Sequence, residues 1–146
     1  MNYRDWLIDD LKKLDRCRFS IVQLAEELQT AEAEFTAIKA TNWDKEPGGS
    51  GDNVQEEKML TAIARRDELA SNLAYNRRKI EDMERLLEQL TSEERAVLTA
   101  LYIKHEPYAA EALADELSVD IRTVYRIKNT ALLHLAQMRH GFAYQN

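Results

Sequence analysis

Apolar side chains recur at helical spacing along almost the whole chain. From about Tyr3 to Thr41 they follow a seven-residue repeat at Leu7, Leu14, Ile21, Leu28 and Phe35, and a second set widens the stripe at Leu11, Cys17, Leu24, Ala31 and Ile38. From about residue 53 to 89 the spacing alternates between three and four, as in a coiled-coil seam, at Leu69, Leu73, Ile80, Met83, Leu87 and Leu90. The pattern predicts two long helices.

The segment between these stretches breaks the helical pattern. Residues 42–52, NWDKEPGGSGD, hold three of the four glycines and one of the two prolines. Two helices of similar length joined by a short loop predict a long antiparallel helical hairpin, which we assign to residues 1–90.

A hairpin of two helices buries only a narrow seam, so we expect it to associate with a second copy, as a homodimer or a higher homo-oligomer. Asn76 lies in that seam and has two interpretations, because a polar seam residue either fixes the register and oligomeric state or lies at the solvated edge. The expected oligomerisation residues are Leu7, Leu14, Ile21, Leu28, Leu73, Asn76, Ile80 and Leu87.

Residues 91–146 predict a second domain of three helices, so the expected fold class is all-α. Thr91 or Ser92 caps the first of these helices, and Glu106-Pro107 ends it. Two further helices follow over about 109–117 and 121–139, separated by Ser118-Val119-Asp120. Asp120 is a suitable N-cap and Gly141 a suitable C-terminal stop.

The helix that begins after Asp120 carries polar side chains able to bind phosphates or base edges. A short helix, a three-residue turn and a second helix with a polar face predict a helix-turn-helix, with a recognition helix over about 121–135 in the major groove of double-stranded DNA. Arg126 is the strongest candidate, because arginine can bind guanine with two hydrogen bonds. The expected DNA-binding residues are Ile121, Arg122, Thr123, Tyr125, Arg126, Lys128 and Asn129.

The net charge of −6 is unusual for a protein that binds nucleic acid. Within residues 118–140, however, the cations outnumber the single acid, Asp120, and these cations are Arg122, Arg126, Lys128 and Arg139. Affinity for DNA depends on which charges meet phosphate, so this local positive charge is compatible with binding. The acidic remainder of the chain weakens nonspecific binding, and we therefore expect modest affinity for each subunit.

The run from Leu98 to Leu135, LTALYIKHEPYAAEALADELSVDIRTVYRIKNTALLHL, resembles region four of sigma-70-type transcription factors. At positions where that pattern usually has glycine and serine, this chain has Ser118 and Asp120, and at one that is often basic it has Ile121. The matching residues are Glu111, Leu113, Ala114, Leu117, Val119, Val124, Ile127, Ala131, Leu132 and Leu135.

A long N-terminal hairpin before such a unit, together with the sequences LYI and VYRI, resembles small phage and prophage transcriptional regulators of the ArpU/RinA-like kind. The resemblance implies a sequence-specific regulator of transcription, with RNA polymerase as a candidate further partner. The alternative is a protein-interaction module that binds RNA polymerase or another factor through its hairpin, and the acidic net charge favours this alternative.

Patterns that would indicate catalysis, metal binding or membrane insertion are not found. Cys17 is the only cysteine, and His134 and His140 are six residues apart, on different faces of a helix. No nucleophile has a recognisable base, so we expect no enzyme activity, metal or cofactor. No apolar run approaches the roughly 18 residues that span a bilayer, and we expect a cytoplasmic protein without membrane contacts.

Overall fold

The computed structural model of the chain describes residues 2–43 and 52–144, so most of the loop predicted over 42–52 lies outside the described residues. The described residues form only helices and turns, which confirms the all-α prediction. The helices are α1 (Tyr3–Trp43), α2 (Asp52–Glu88), α3 (Ser92–Leu98), a π-helical segment (Thr99–Lys104), α4 (Ala109–Leu117), α5 (Ile121–His140) and a final 3₁₀ turn (Gly141–Ala143).

The chain divides into two compact units. The first unit combines Met1–Arg18 with Lys79–Asn146, and the second unit comprises Phe19–Arg78. The first unit therefore contains the beginning of α1 and the end of α2 as well as the three C-terminal helices. The sequence predicts a domain boundary at residue 90. Whether residues 1–90 and 91–146 fold independently stays a prediction.

The second unit consists of the remaining lengths of α1 and α2. Ala31, Leu69 and Leu73 are buried there, at the positions where the apolar repeat predicts contact. The guanidinium of Arg66 lies 4.4 Å from the centre of the Phe35 ring, which places these parts of α1 and α2 side by side.

In the first unit, the beginning of α1 contacts both α2 and the C-terminal helices. Arg18 Nε lies 3.1 Å from Glu84 Oε1 on α2, and Lys104 Nζ lies 2.9 Å from Asp15 Oδ2. Leu7 and Leu11 are 1% and 0% exposed. Such complete burial requires cover from more than one neighbouring helix, so the first turns of α1 belong to the core of this unit.

Side-chain caps begin α1, α3 and α5, and two of these caps, Thr91 and Asp120, are among the residues that the sequence predicts. Asn2 Oδ1 accepts from the backbone N–H of Asp5 over 2.9 Å at the start of α1. Asp120 Oδ1 accepts from the N–H of Arg122 over 2.8 Å at the start of α5. Thr91 caps α3 in a capping box with Glu94, in which each side chain accepts from the backbone of the other.

The helix expected between residue 91 and Glu106-Pro107 changes register partway along. It is α-helical over Ser92–Leu98 and π-helical over Thr99–Lys104, and it ends at His105, whose φ is 50°. A π-helix forms hydrogen bonds to the fifth preceding residue and occurs only in short segments. The sequence did not predict this change, because apolar spacing shows which face of a helix is buried. It does not show whether the backbone bonds to the fourth or to the fifth preceding residue.

Candidate nucleic-acid interface

A small apolar core fixes α5 against α3 and α4. Residues from all three helices are buried together in it, namely Val97, Ala110, Leu113, Ala114 and Val124. Half-buried side chains pack around them: Ala100, Leu101, Leu117, Ile121 and Ile127. The first half of α5 is therefore held on one face, which leaves the opposite face to solvent.

The turn between α4 and α5 has the geometry of a Schellman motif. Ser118 has φ 55° and ψ 45°, its N–H donates to the carbonyl of Asp115, and the N–H of Val119 donates to that of Ala114. This left-handed conformation favours glycine, which is the residue usual at this position in the sigma-like pattern. Ser118 thus adopts the backbone conformation that the glycine would adopt.

The two halves of α5 differ in the partners of their basic side chains. In the second half, Arg139 lies 3.2 Å from Asp10, and His134 Nδ1 lies 2.7 Å from Glu94 Oε2. In the first half, Arg122 and Arg126 are exposed, and among the described residues neither has an ion-pair partner. The positive charge available to a ligand is therefore concentrated at the beginning of α5.

The seven predicted DNA-binding residues are not equally accessible. Arg122, Tyr125, Arg126 and Asn129 are exposed, with 43% of Tyr125 accessible. Three others, Ile121, Thr123 and Lys128, are half-buried.

Four of the seven have contacts that the sequence did not predict. Ile121 packs against the apolar core, so only part of its side chain can reach a thymine methyl group. Lys128 Nζ lies 5.2 Å from the centre of the Tyr125 ring. Asn129 Oδ1 accepts a hydrogen bond from Arg4 Nη2 over 2.7 Å.

Most of the residues predicted to mediate oligomerisation have side chains that are already buried within one copy of the chain. Ile21, Leu28 and Asn76 are half-buried, and the amide of Asn76 donates to the carbonyl of Asn72 one turn earlier. The other members of the set are buried without a second copy, namely Leu7, Leu14, Leu73, Ile80 and Leu87. Their role in association stays a prediction.

Glu94 and His134 form a polar link between α3 and α5 that the sequence analysis missed. Glu94 is only 7% exposed. Burial by itself raises the pKa of its carboxyl, but hydrogen bonds from the Thr91 backbone and from His134 outweigh burial and hold that pKa below its usual range. The spacing of Thr91 and Glu94 is that of a capping box and could have indicated a role for Glu94. Its partner His134 is forty residues further along the chain, and no local pattern in the sequence indicates that contact.

Replacing Glu94 should destabilise the protein at neutral pH and much less in acid. Glu94→Ala removes the Glu94 side-chain half of the capping box and the link to His134, at an expected cost of about 1–3 kcal/mol at pH 7. Because the folded-state pKa lies below the ordinary pKa of a glutamate carboxyl, the stabilisation is complete above that ordinary pKa and is lost as the pH falls through the folded-state pKa. Urea unfolding at pH 7 and at about pH 3.5 measures both effects.

Glu94→Gln separates the charge from the cap, because glutamine also serves in a capping box. It should show a smaller loss of stability between the two pH values than the wild type. Glu93→Gln is the matched control at an exposed neighbouring position. An identical pH dependence for the wild type and Glu94→Gln would contradict this account of the carboxylate.

Residues 2–43 and 52–144 contain no group of three or more His, Cys, Asp or Glu side chains that could hold a metal ion. No helix among them is both long enough and apolar enough to cross a bilayer. Comparisons with models of protein families, with curated proteins and with solved structures find no match.

Proposed function

We propose that this chain is a sequence-specific DNA-binding regulator of transcription that inserts the beginning of α5 into the major groove. In this proposal α4, the Ser118–Asp120 turn and α5 form a helix-turn-helix of the sigma-region-four kind, within a regulator similar to those of phages and prophages. The ligand is double-stranded DNA, RNA polymerase is a candidate second partner, and the chain acts as a homo-oligomer.

One observation carries the proposal: α5 is anchored by its second half and carries unpaired cations on its first half. Ala131, Leu132, Leu135 and Ala136 are buried and hold the helix in place. Arg122 and Arg126 lie one turn apart, so they project from one exposed face. A rigid helix that displays arginine in its first turns suits base and phosphate contacts in the major groove.

The same face also carries hydrogen-bonding groups that are not charged. Tyr125 and Asn129 are both exposed; Tyr125 supplies a donor and an acceptor, and Asn129 supplies amide donors, because its Oδ1 accepts from Arg4. A surface that serves only to keep the protein soluble does not need this combination of arginine, phenol and amide groups on successive turns. The combination supports recognition of a sequence rather than attraction to phosphate alone.

A protein-interaction module is the second candidate, and exposed apolar side chains in the second unit favour it. Phe19 and Leu60 are 65% and 62% exposed, and Val22 and Val54 are also largely accessible. Large apolar side chains at the surface of helices are common in protein interfaces. Salt distinguishes the two functions, because binding to phosphates weakens steeply as salt rises and an apolar contact does not.

Arg126→Ala should weaken binding to the preferred DNA by about 1–3 kcal/mol, or roughly 5- to 150-fold. The preferred site is first found by selecting bound duplexes from a random library with the wild-type protein, and affinities for that site are then measured by fluorescence anisotropy. The physical reason is the loss of a guanidinium that can donate two hydrogen bonds to guanine.

Arg77→Ala is the control for this experiment, because Arg77 is an exposed arginine on α2 in the second unit. It should leave the affinity for the selected site almost unchanged. Equal losses for Arg77→Ala and Arg126→Ala would indicate that only the overall charge matters. Failure of the wild type to select any duplex at low salt would count against DNA binding itself.

A further inference from the structure

The exposed face of α5 receives one contact from the beginning of the chain. Arg4, the second residue of α1, donates from Nη2 to Oδ1 of Asn129 over 2.7 Å. Asn129 lies two turns after Arg122 and one turn after Arg126, so the three side chains share a face of α5. Arg4 therefore brings a further guanidinium to the surface that we propose for DNA.

The first turns of α1 are held firmly in the first unit. The ring of Tyr3 stacks on that of His140 with 4.1 Å between ring centres, and Arg139 pairs with Asp10 at 3.2 Å. Leu7 lies one turn after Arg4 and is 1% exposed. These contacts fix the backbone from which Arg4 projects, so its position beside Asn129 is set by the core rather than by a loose terminus.

The contact changes which base Asn129 can read. To bind adenine with two hydrogen bonds, an asparagine accepts with its oxygen from the N6 amino group and donates with its amide to N7. The oxygen of Asn129 already accepts from the guanidinium of Arg4, and a cation beside that oxygen disfavours the approach of a second donor such as the adenine amino group. The donors of Arg4 and Asn129 instead match guanine, whose major-groove edge presents two acceptors, N7 and O6.

We infer that Arg4 and Asn129 act as one pair of hydrogen-bond donors that selects guanine over adenine at one base pair of the DNA target. This inference rests on the proposed function, because it concerns the same face of α5. It makes Arg4 a specificity-determining residue that lies on α1, outside the helix that enters the groove.

Arg4→Met tests the inference, because methionine retains an unbranched apolar stem and has no donor. Duplexes are selected from a random library with the wild type and with the variant. The wild type should prefer guanine at the position that Asn129 contacts, and Arg4→Met should lower the ratio of guanine to adenine affinity there by about tenfold. Arg16→Met is the matched control, since Arg16 is an exposed arginine on the same helix.

Asn129→Ala identifies the base pair concerned, because it should remove the preference at that same position. Thermal unfolding of each variant verifies that the fold is retained. If Arg4→Met changes guanine and adenine sites equally, or neither, while Arg126→Ala still weakens binding, the inference is overturned and the proposed function stands. If the wild type selects no duplex, the proposed function fails and the inference fails with it.

Discussion

Leu11→Ala is expected to lower the free energy of unfolding of the first unit by about 2–5 kcal/mol. Leu11 is 0% exposed, so the substitution removes buried methyl groups and leaves a cavity that the surrounding helices fill only in part. The loss should be measured as a shift of the urea unfolding curve. Leu11 is distant in sequence from α3, α4 and α5 but belongs to the same unit. The loss of free energy should therefore affect the folding of the C-terminal helices as well as that of α1.

Leu60→Ala is the matched control, because it makes the same chemical change at a position that is 62% exposed. It should change the free energy of unfolding by no more than about 0.5 kcal/mol. Equal effects of the two substitutions would show that the beginning of α1 is not part of a packed core. A peptide of residues 91–146 provides a second measurement, and we expect it to lack a cooperative unfolding transition.

The double variant Arg122→Glu/Arg126→Glu is expected to lower the affinity for the selected DNA site by roughly a hundredfold to a thousandfold. Each substitution removes a candidate base or phosphate contact and places a carboxylate beside the DNA backbone. Both arginines are exposed, and neither has an ion pair within the described part of the chain, so folding should be little affected. Fluorescence anisotropy with labelled duplex at several salt concentrations measures the loss.

The control for this variant is Arg77→Glu/Arg78→Glu, which makes the same change in net charge at exposed positions of α2. It should retain most of the affinity, because the proposed DNA contacts are made by side chains of α5 and not by those of α2. If both double variants lose affinity to the same extent, binding depends on net charge and not on α5. If neither loses affinity, the beginning of α5 does not contact the DNA, and the assignment of α5 as the recognition helix is wrong.

Helix positions and capping residues could be predicted from the sequence because both depend on neighbours within one or two turns. Apolar spacing placed α4 and α5 almost at their observed bounds, and Asp120 was recognised as the N-cap. The polar face at the beginning of α5 was predictable for the same reason. Exposure of Arg122 and Arg126 follows from their positions opposite Val124 and Ile127.

The partners of each buried face could not be predicted, because an apolar repeat shows which face is buried and not what covers it. The repeat at Leu7 and Leu14 predicted a buried face, and only the structure shows that both side chains are buried within the first unit. Sequence reasoning also treated Asn129 as free to contact DNA, since nothing near it in the chain indicates Arg4.

The sequence by itself therefore determined an all-helical protein, the starts of its helices and the polar face of α5, because local spacing and capping hydrogen bonds specify these features. Only the tertiary structure decided that the beginning of α1 packs with the C-terminal helices, that Arg4 binds Asn129 and that Glu94 binds His134. Such contacts join residues far apart in the chain, and they depend on how helices pack in space rather than on any local pattern.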